Sequence, residues 1–104
     1  MNRNKYQVKF NKHNRHYGII IGSKGDRFES VTLTHASRTN NSNNIKLDKN
    51  PNKKDKSNSY LVKRLTRIPK YYYGKNRNDF NFIDSDECKI DKLAKEKHKY
   101  KLWH

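Results

Sequence analysis

Apolar and polar positions along this chain alternate mostly with a period of two, in short bursts separated by polar stretches. Tyr6, Val8 and Phe10 make a weak first burst within a polar, basic segment, residues 1–16, and predict an edge strand. The pattern sharpens at residues 17–22, Tyr-Gly-Ile-Ile-Ile-Gly, a β-branched run closed by the turn-rich Gly22-Ser-Lys-Gly-Asp26. Phe28, Val31 and Leu33 then start a second strand, so the two runs predict a β-hairpin. Residues 36–44 carry no apolar periodicity and read as a loop. Ile45-Lys-Leu47 gives a brief strand signal, and residues 48–58, with Asn50-Pro51 and four lysines, form a second polar loop. Strand-like pieces follow at residues 59–65, at Arg67-Ile-Pro69 and at Tyr71-Tyr-Tyr-Gly74, and the alternation of Phe80 and Phe82 predicts one more strand.

The tail changes period. Asp84 or Ser85 is placed to cap a helix whose first turn holds Asp86 and Glu87, and whose Ile90, Leu93 and Ala94 share one face. Tyr100, Leu102 and Trp103 end the chain as a small apolar cluster that must dock. The expected fold is mainly β with a C-terminal α-helix: a small, strongly curved sheet or partial β-barrel closed by that helix. A chain of 104 residues has room for one domain, divided into a basic segment over 1–16, a β-rich body over 17–83 and a helix with tail over 84–104.

Composition alters this picture chiefly through charge. Lys and Arg number 25 against 10 Asp and Glu, a net charge of +15, while apolar residues make up only 31%. The core must therefore be small, and the compact state repels itself unless a partner supplies negative charge. A/T-rich codon usage accounts for part of the lysine and for the 14 asparagines, but not for the scarcity of acids. The charge predicts a polyanionic partner, nucleic acid first and RNA before DNA. Cys88 is the only cysteine, which excludes a disulfide framework and a thiolate zinc site. No run approaches a membrane span and none follows the basic N-terminus as a secretion signal, so the expectation is a cytoplasmic protein with no membrane attachment.

Cleaving RNA without metal requires help for the attacking 2′-hydroxyl, positive charge for the developing dianion and a proton for the leaving oxygen. Arg15 lies just before the first sharp strand, and Thr34 and His35 end the second, so a tight hairpin brings them to one end of the sheet. His35 is the acid–base candidate because histidine titrates near neutral pH. The plain alternative is that Arg15 and His35 are solvated and Thr34 is an ordinary β-former. His13 and His16 have no Cys or carboxylate at a metal-site spacing, so neither a metal nor any other cofactor is expected. For RNA binding, the candidates are His16, Arg38, Lys53, Lys54, Lys63, Arg64, Lys70, Tyr71 and Tyr73, cations interleaved with tyrosines able to stack unpaired bases. As strand residues, Tyr71 and Tyr73 would face one way and Tyr72 the other, so at least one belongs to the core.

The run Arg15-His-Tyr-Gly-Ile-Ile-Ile-Gly followed by Val31-Thr-Leu-Thr34 resembles the PemK/MazF-like toxins and their ToxN-like relatives controlled by RNA antitoxins. Those families place an arginine just before a hydrophobic strand and a threonine or serine at the end of the next. The match extends over about residues 13–100. It departs from the family at His16, where proline is common, and in lacking the acidic, glycine-containing segment upstream. The resemblance implies an SH3-like barrel, metal-independent endoribonuclease (hydrolase) activity, a homo-oligomer or complex, and an antitoxin partner made of RNA or acidic protein. It further implies that Arg15 stabilises the phosphate and that Thr34 positions or protonates it. Two other readings fit the same residues: a non-enzymatic nucleic-acid-binding module of a phage or mobile element, and a basic protein that binds an acidic protein partner.

Overall fold

The computed structural model describes residues 5–96. Its strands are β1 (Gln7–Asn11), β2 (His16–Lys24), β3 (Arg27–Thr34), β4 (Arg38–Thr39), β5 (Ser42–Asn43), β6 (Ile45–Lys46), β7 (Tyr60–Pro69) and β8 (Tyr73–Asn76). A 3₁₀ turn, Lys70–Tyr72, joins β7 to β8, and the helix α1 runs over Asp84–Lys95. Six strands form one antiparallel sheet in the order β6-β7-β3-β2-β1-β8, with β4 and β5 as a separate ribbon. The fold is thus mainly β with a C-terminal helix.

The predicted hairpin is β2–β3, tighter than the glycine-rich stretch suggested. Lys24 pairs with Arg27, so only Gly25 and Asp26 turn the chain, and Gly25 at φ 58 takes the left-handed conformation that its first turn position requires. A row of side chains then crosses four strands: Val8 is opposite Ile19, Ile19 opposite Val31, and Val31 opposite Leu65. All four are buried, and Leu33, Leu47, Leu61, Phe80 and the α1 residues Ile90 and Leu93 complete the same cluster. The helix therefore closes one face of the sheet, its acidic first turn and basic last turn matching the helix dipole.

The other face is closed by curling. Tyr73 of β8 lays its phenol over Gly18 of β2, where a Cβ would come within 3.2 Å of the ring, and its hydroxyl is 2.8 Å from Ser30 Oγ on β3. Three strand spacings separate β8 from β3, about 14 Å across a flat sheet, farther than a tyrosine reaches. The sheet must bend to make this contact, a shape compatible with a partial barrel. Ser30 Oγ is also 2.7 Å from Thr66 Oγ1, so this buried face is polar but paired.

Several expectations are corrected. β1 is an interior strand, not an edge, because β8 pairs on its outer side; the sheet therefore begins within the basic N-terminal segment. Residues 36–44 are a small hairpin: Asn40 and Asn41, at φ 51 and 64, supply the left-handed pair of a type I′ turn, a signal carried by asparagine and not by apolar periodicity. β7 is one ten-residue strand through Pro69. Phe80 makes only an isolated bridge to Asn52, and Phe82 lies in no strand. The tyrosines at 71–73 do not alternate, since Tyr71 and Tyr72 belong to the 3₁₀ turn. Ile83, not Asp84 or Ser85, is the N-cap, and it makes no side-chain capping bond. The apolar cluster at Tyr100, Leu102 and Trp103 falls outside the described residues.

Asp86, expected to serve the helix dipole, does more. It is fully buried and accepts bonds from the backbone N–H groups of Asp48 at 2.7 Å and Lys49 at 3.1 Å, with Lys89 Nζ at 3.2 Å. This carboxylate ties the start of the 48–58 loop to α1. Asp86→Ala leaves two N–H groups and an ammonium without their acceptor, and should lower unfolding stability by about 2–4 kcal/mol in a denaturant titration. Gly18→Ala should cost about 1–3 kcal/mol in the same measurement, because its methyl displaces the Tyr73 ring.

Candidate active site

The end of the sheet where β2 starts and β3 finishes is shaped by asparagine chemistry. Buried Asn11 accepts from the backbone N–H groups of His13 at 2.9 Å and Asn14 at 3.2 Å, and its carbonyl accepts from Arg15 N at 2.8 Å. Arg15 is thereby held at φ 62, a left-handed residue without glycine's freedom, as the last residue of the β1–β2 turn. Gly18 stands opposite Thr32, and Thr34 opposite Tyr60, so the ends of β2, β3 and β7 coincide there.

Between these ends and the 48–58 loop lies a cleft of about 330 Å³. Arg15, His16, Thr34 and His35 all line it, together with Asn50, Asn52 and Asp55 from the loop and an apolar floor of Tyr17, Leu33 and Phe80. The three residues predicted to act together thus share one cavity. The loop wall owes its order to side chains bonding the nearby backbone. Asn50 accepts from Asn52 N at 2.9 Å, Asn52 from Lys54 N at 3.1 Å and Asp55 from Ser57 N at 2.9 Å, while Pro51 is buried beneath them.

Asp55 is the residue that sequence reading missed. Its Oδ2 is 2.7 Å from His35 Nε2, and no sequence signal links two residues twenty apart with the β4–β5 ribbon and β6 between them. The Ser57 N–H, then the His35 ring, lower the Asp55 carboxyl from its ordinary 3.8 to about 2. With Asp55 ionised, Nε2 must carry the shared proton, and the neutral ring then has its lone pair on Nδ1. The Arg15 guanidinium has no side-chain partner among the described residues, whereas Thr34 Oγ1 accepts from Ala36 N at 3.2 Å. Arg77, also unanticipated, braces the floor. It donates to Tyr17 Oη at 2.8 Å and to both Asp79 oxygens, at 3.0 and 2.7 Å, with its guanidinium against the Tyr17 and Phe80 rings.

The remaining candidates are dispersed. His16 and Thr34 also line a second groove of about 220 Å³ on the sheet face away from α1, with Thr32, Val62, Arg64 and Thr66. The β4–β5 ribbon borders that groove through Thr39 and Asn40. Arg38 is exposed on the same ribbon and donates to the Asn41 carbonyl at 3.0 Å. Lys53 and Lys54 are exposed on the loop between the cleft residues Asn52 and Asp55, and Lys63 is exposed at the β7 register shift, lining neither cavity. Lys70 and Tyr71 stand apart on the 3₁₀ turn. Tyr73 is a correction: at 7% exposure, with its hydroxyl on Ser30, it belongs to the folded interior and has no face for a base. No group of three or more His, Cys, Asp or Glu among the described residues is placed to hold a metal ion, and no helix among them is long and apolar enough to cross a membrane.

A carboxyl lowered on folding stabilises the folded loop above its ordinary value and ceases to do so as pH falls through the lowered one. The Ser57 amide resonance should therefore titrate with a midpoint near 2, not near 3.8, and a midpoint near 3.8 would show that these hydrogen bonds do not persist in solution.

No protein family, curated protein or solved structure matches this chain.

Proposed function

We propose that this chain binds single-stranded RNA and cleaves it without metal, by attack of a 2′-hydroxyl on the adjacent phosphate, in the manner its resemblance to the PemK/MazF-like toxins implies. The observation that supports this reading is the cleft shared by an unpaired arginine, a hydroxyl and a carboxylate-held histidine. Charge supports the polyanionic substrate. Among the described residues Glu29, Asp48, Asp55, Asp79, Asp86 and Asp91 are engaged in ion pairs within the fold, by Lys5, His35, Arg67, Arg77 and Lys89, while the chain carries 25 Lys and Arg against 10 Asp and Glu.

In this mechanism Nδ1 of His35 takes the 2′-hydroxyl proton, the 2′-oxygen forms its bond to phosphorus and the bond to the 5′-oxygen breaks, leaving a cyclic phosphate. The 5′-oxygen takes a proton from water, or from the Thr34 hydroxyl as water reprotonates it, and the His35 imidazolium returns its proton to solvent. Arg15 offers its planar fork to the phosphoryl oxygens as charge builds on them. Asp55 holds the ring in the tautomer that leaves Nδ1 free and stabilises the imidazolium that forms. An SH3-like barrel, a cytoplasmic setting, a homo-oligomer and an antitoxin of RNA or acidic protein belong to the same proposal.

One observation favours the binding-only alternative: Thr34 Oγ1 already accepts a backbone bond that explains its presence as a strand-end turn residue. Incubation with long single-stranded RNA in chelator separates the two. Cleavage should occur, Arg15→Ala should slow it by about 10²–10³-fold and His35→Ala by about 10²–10⁴-fold, with unchanged unfolding midpoints. Binding that is salt-sensitive and leaves wild-type RNA intact would identify a binding module, and full activity in Arg15→Ala would remove that residue from the mechanism.

A further inference from the structure

The β1–β2 turn that presents Arg15 to the cleft also carries His13, whose ring faces the other way onto the 3₁₀ turn. His13 and Tyr72 stack with centroids 5.0 Å apart and an interplanar angle of 24°, and Tyr71 meets Tyr72 edge-on at 4.7 Å. Lys12 N donates to the Tyr72 carbonyl at 2.8 Å, so backbone bonding fixes the two turns together. Tyr71 is 73% exposed, the most open large apolar side chain among the described residues. A core residue would not be so placed, and a ring this open has surface left for a further partner.

The 3₁₀ turn and β1 also carry cations, Lys70 and Lys9. Lys70 Nζ is 5.2 Å and Lys9 Nζ 5.6 Å from the centroid of the half-buried Phe28 ring, and neither ammonium has a carboxylate partner among the described residues. Two ammonium groups near one ring concentrate positive charge that an anion relieves. Flat exposed rings next to unpaired cations are the combination by which proteins hold single strands without reading sequence, the rings taking bases and the cations phosphates. Duplex RNA keeps its bases stacked inside and offers such rings nothing.

We propose that His13, Tyr72 and Tyr71, with Lys9 and Lys70, form a stacking platform for the unpaired bases that flank the nucleotide in the cleft. This rests on the reading of the cleft as an RNA site. His13 and Arg15 are two positions apart, at most about 7 Å of backbone, so a strand whose phosphate lies on Arg15 reaches the platform with its next bases. The substrate class is thereby narrowed to RNA unpaired on at least one side of the cleft.

The test uses the whole chain and a fluorescent 2′-O-methyl oligoadenylate of about 12 nucleotides, which has no 2′-hydroxyl to attack and therefore reports binding apart from cleavage. Tyr71→Ala should weaken binding about tenfold with the salt slope unchanged, and Tyr71→Phe should bind as the wild type does. Lys9→Ala with Lys70→Ala should reduce the log–log salt slope by about 1.4, two contacts at about 0.7 each. Replacing the bases by abasic units should cost the wild type affinity and the Tyr71→Ala variant little. Equal affinities for wild type and Tyr71→Ala, equal affinities for normal and abasic strands, preference for an acidic protein over RNA, or no RNA binding at all would each overturn the platform. Failure to cleave unmodified RNA, with these binding differences intact, would instead overturn the enzymatic reading alone.

Discussion

The antiparallel register of β2 against β3 is the constraint on which the rest of this protein depends. With Ile19 opposite Val31, both side chains enter the core beneath α1, while Gly18 and Ser30 turn to the face that Tyr73 covers. A slip of one residue would send the isoleucine and valine outward and bring polar groups in, so the apolar row fixes the pairing strongly. The same register decides where the ends of the strands lie. Packing inside the sheet and the meeting of Arg15, His16, Thr34 and His35 at its end are therefore one geometric fact, and the shape of the cleft is inherited from the core.

A chain with so few apolar residues cannot order its loops by burying them. It uses side chains against backbone. Asn11 holds the turn that presents Arg15, Asn50, Asn52 and Asp55 shape the far wall of the cleft, and Asn44 ties down the β4–β5 ribbon by donating to the Ala36 carbonyl and to Thr39. Such bonds are local and directional, so they fix loop shape at little cost in buried area. Acids are used with similar economy. Asp86 and Glu29 are spent in the interior, the latter paired at 2.9 Å with Arg67, and Asp55 on the cleft histidine. What remains outside is predominantly positive, and that imbalance gives the cleft and the aromatic ladder a common electrostatic setting.

The sequence by itself determined the elements whose signals are local: the β2–β3 hairpin with its glycine turn, the brief β6, the amphipathic α1, and the excess of positive charge. It also led to the expectation that Arg15, Thr34 and His35 lie at one end of the sheet, because the ends of a tight hairpin are close, and all three line the same cleft. Only the tertiary structure decided that β1 is interior, since its outer partner β8 lies more than sixty residues away, and that Tyr73 is buried while Tyr71 is exposed, since this depends on which side of a 3₁₀ turn faces the curled sheet. Asp55 beside His35 and the stack of His13 on Tyr72 were equally illegible. Both join residues from separate turns, and a turn's local chemistry fixes its own shape but not the neighbour against which the folded sheet will set it.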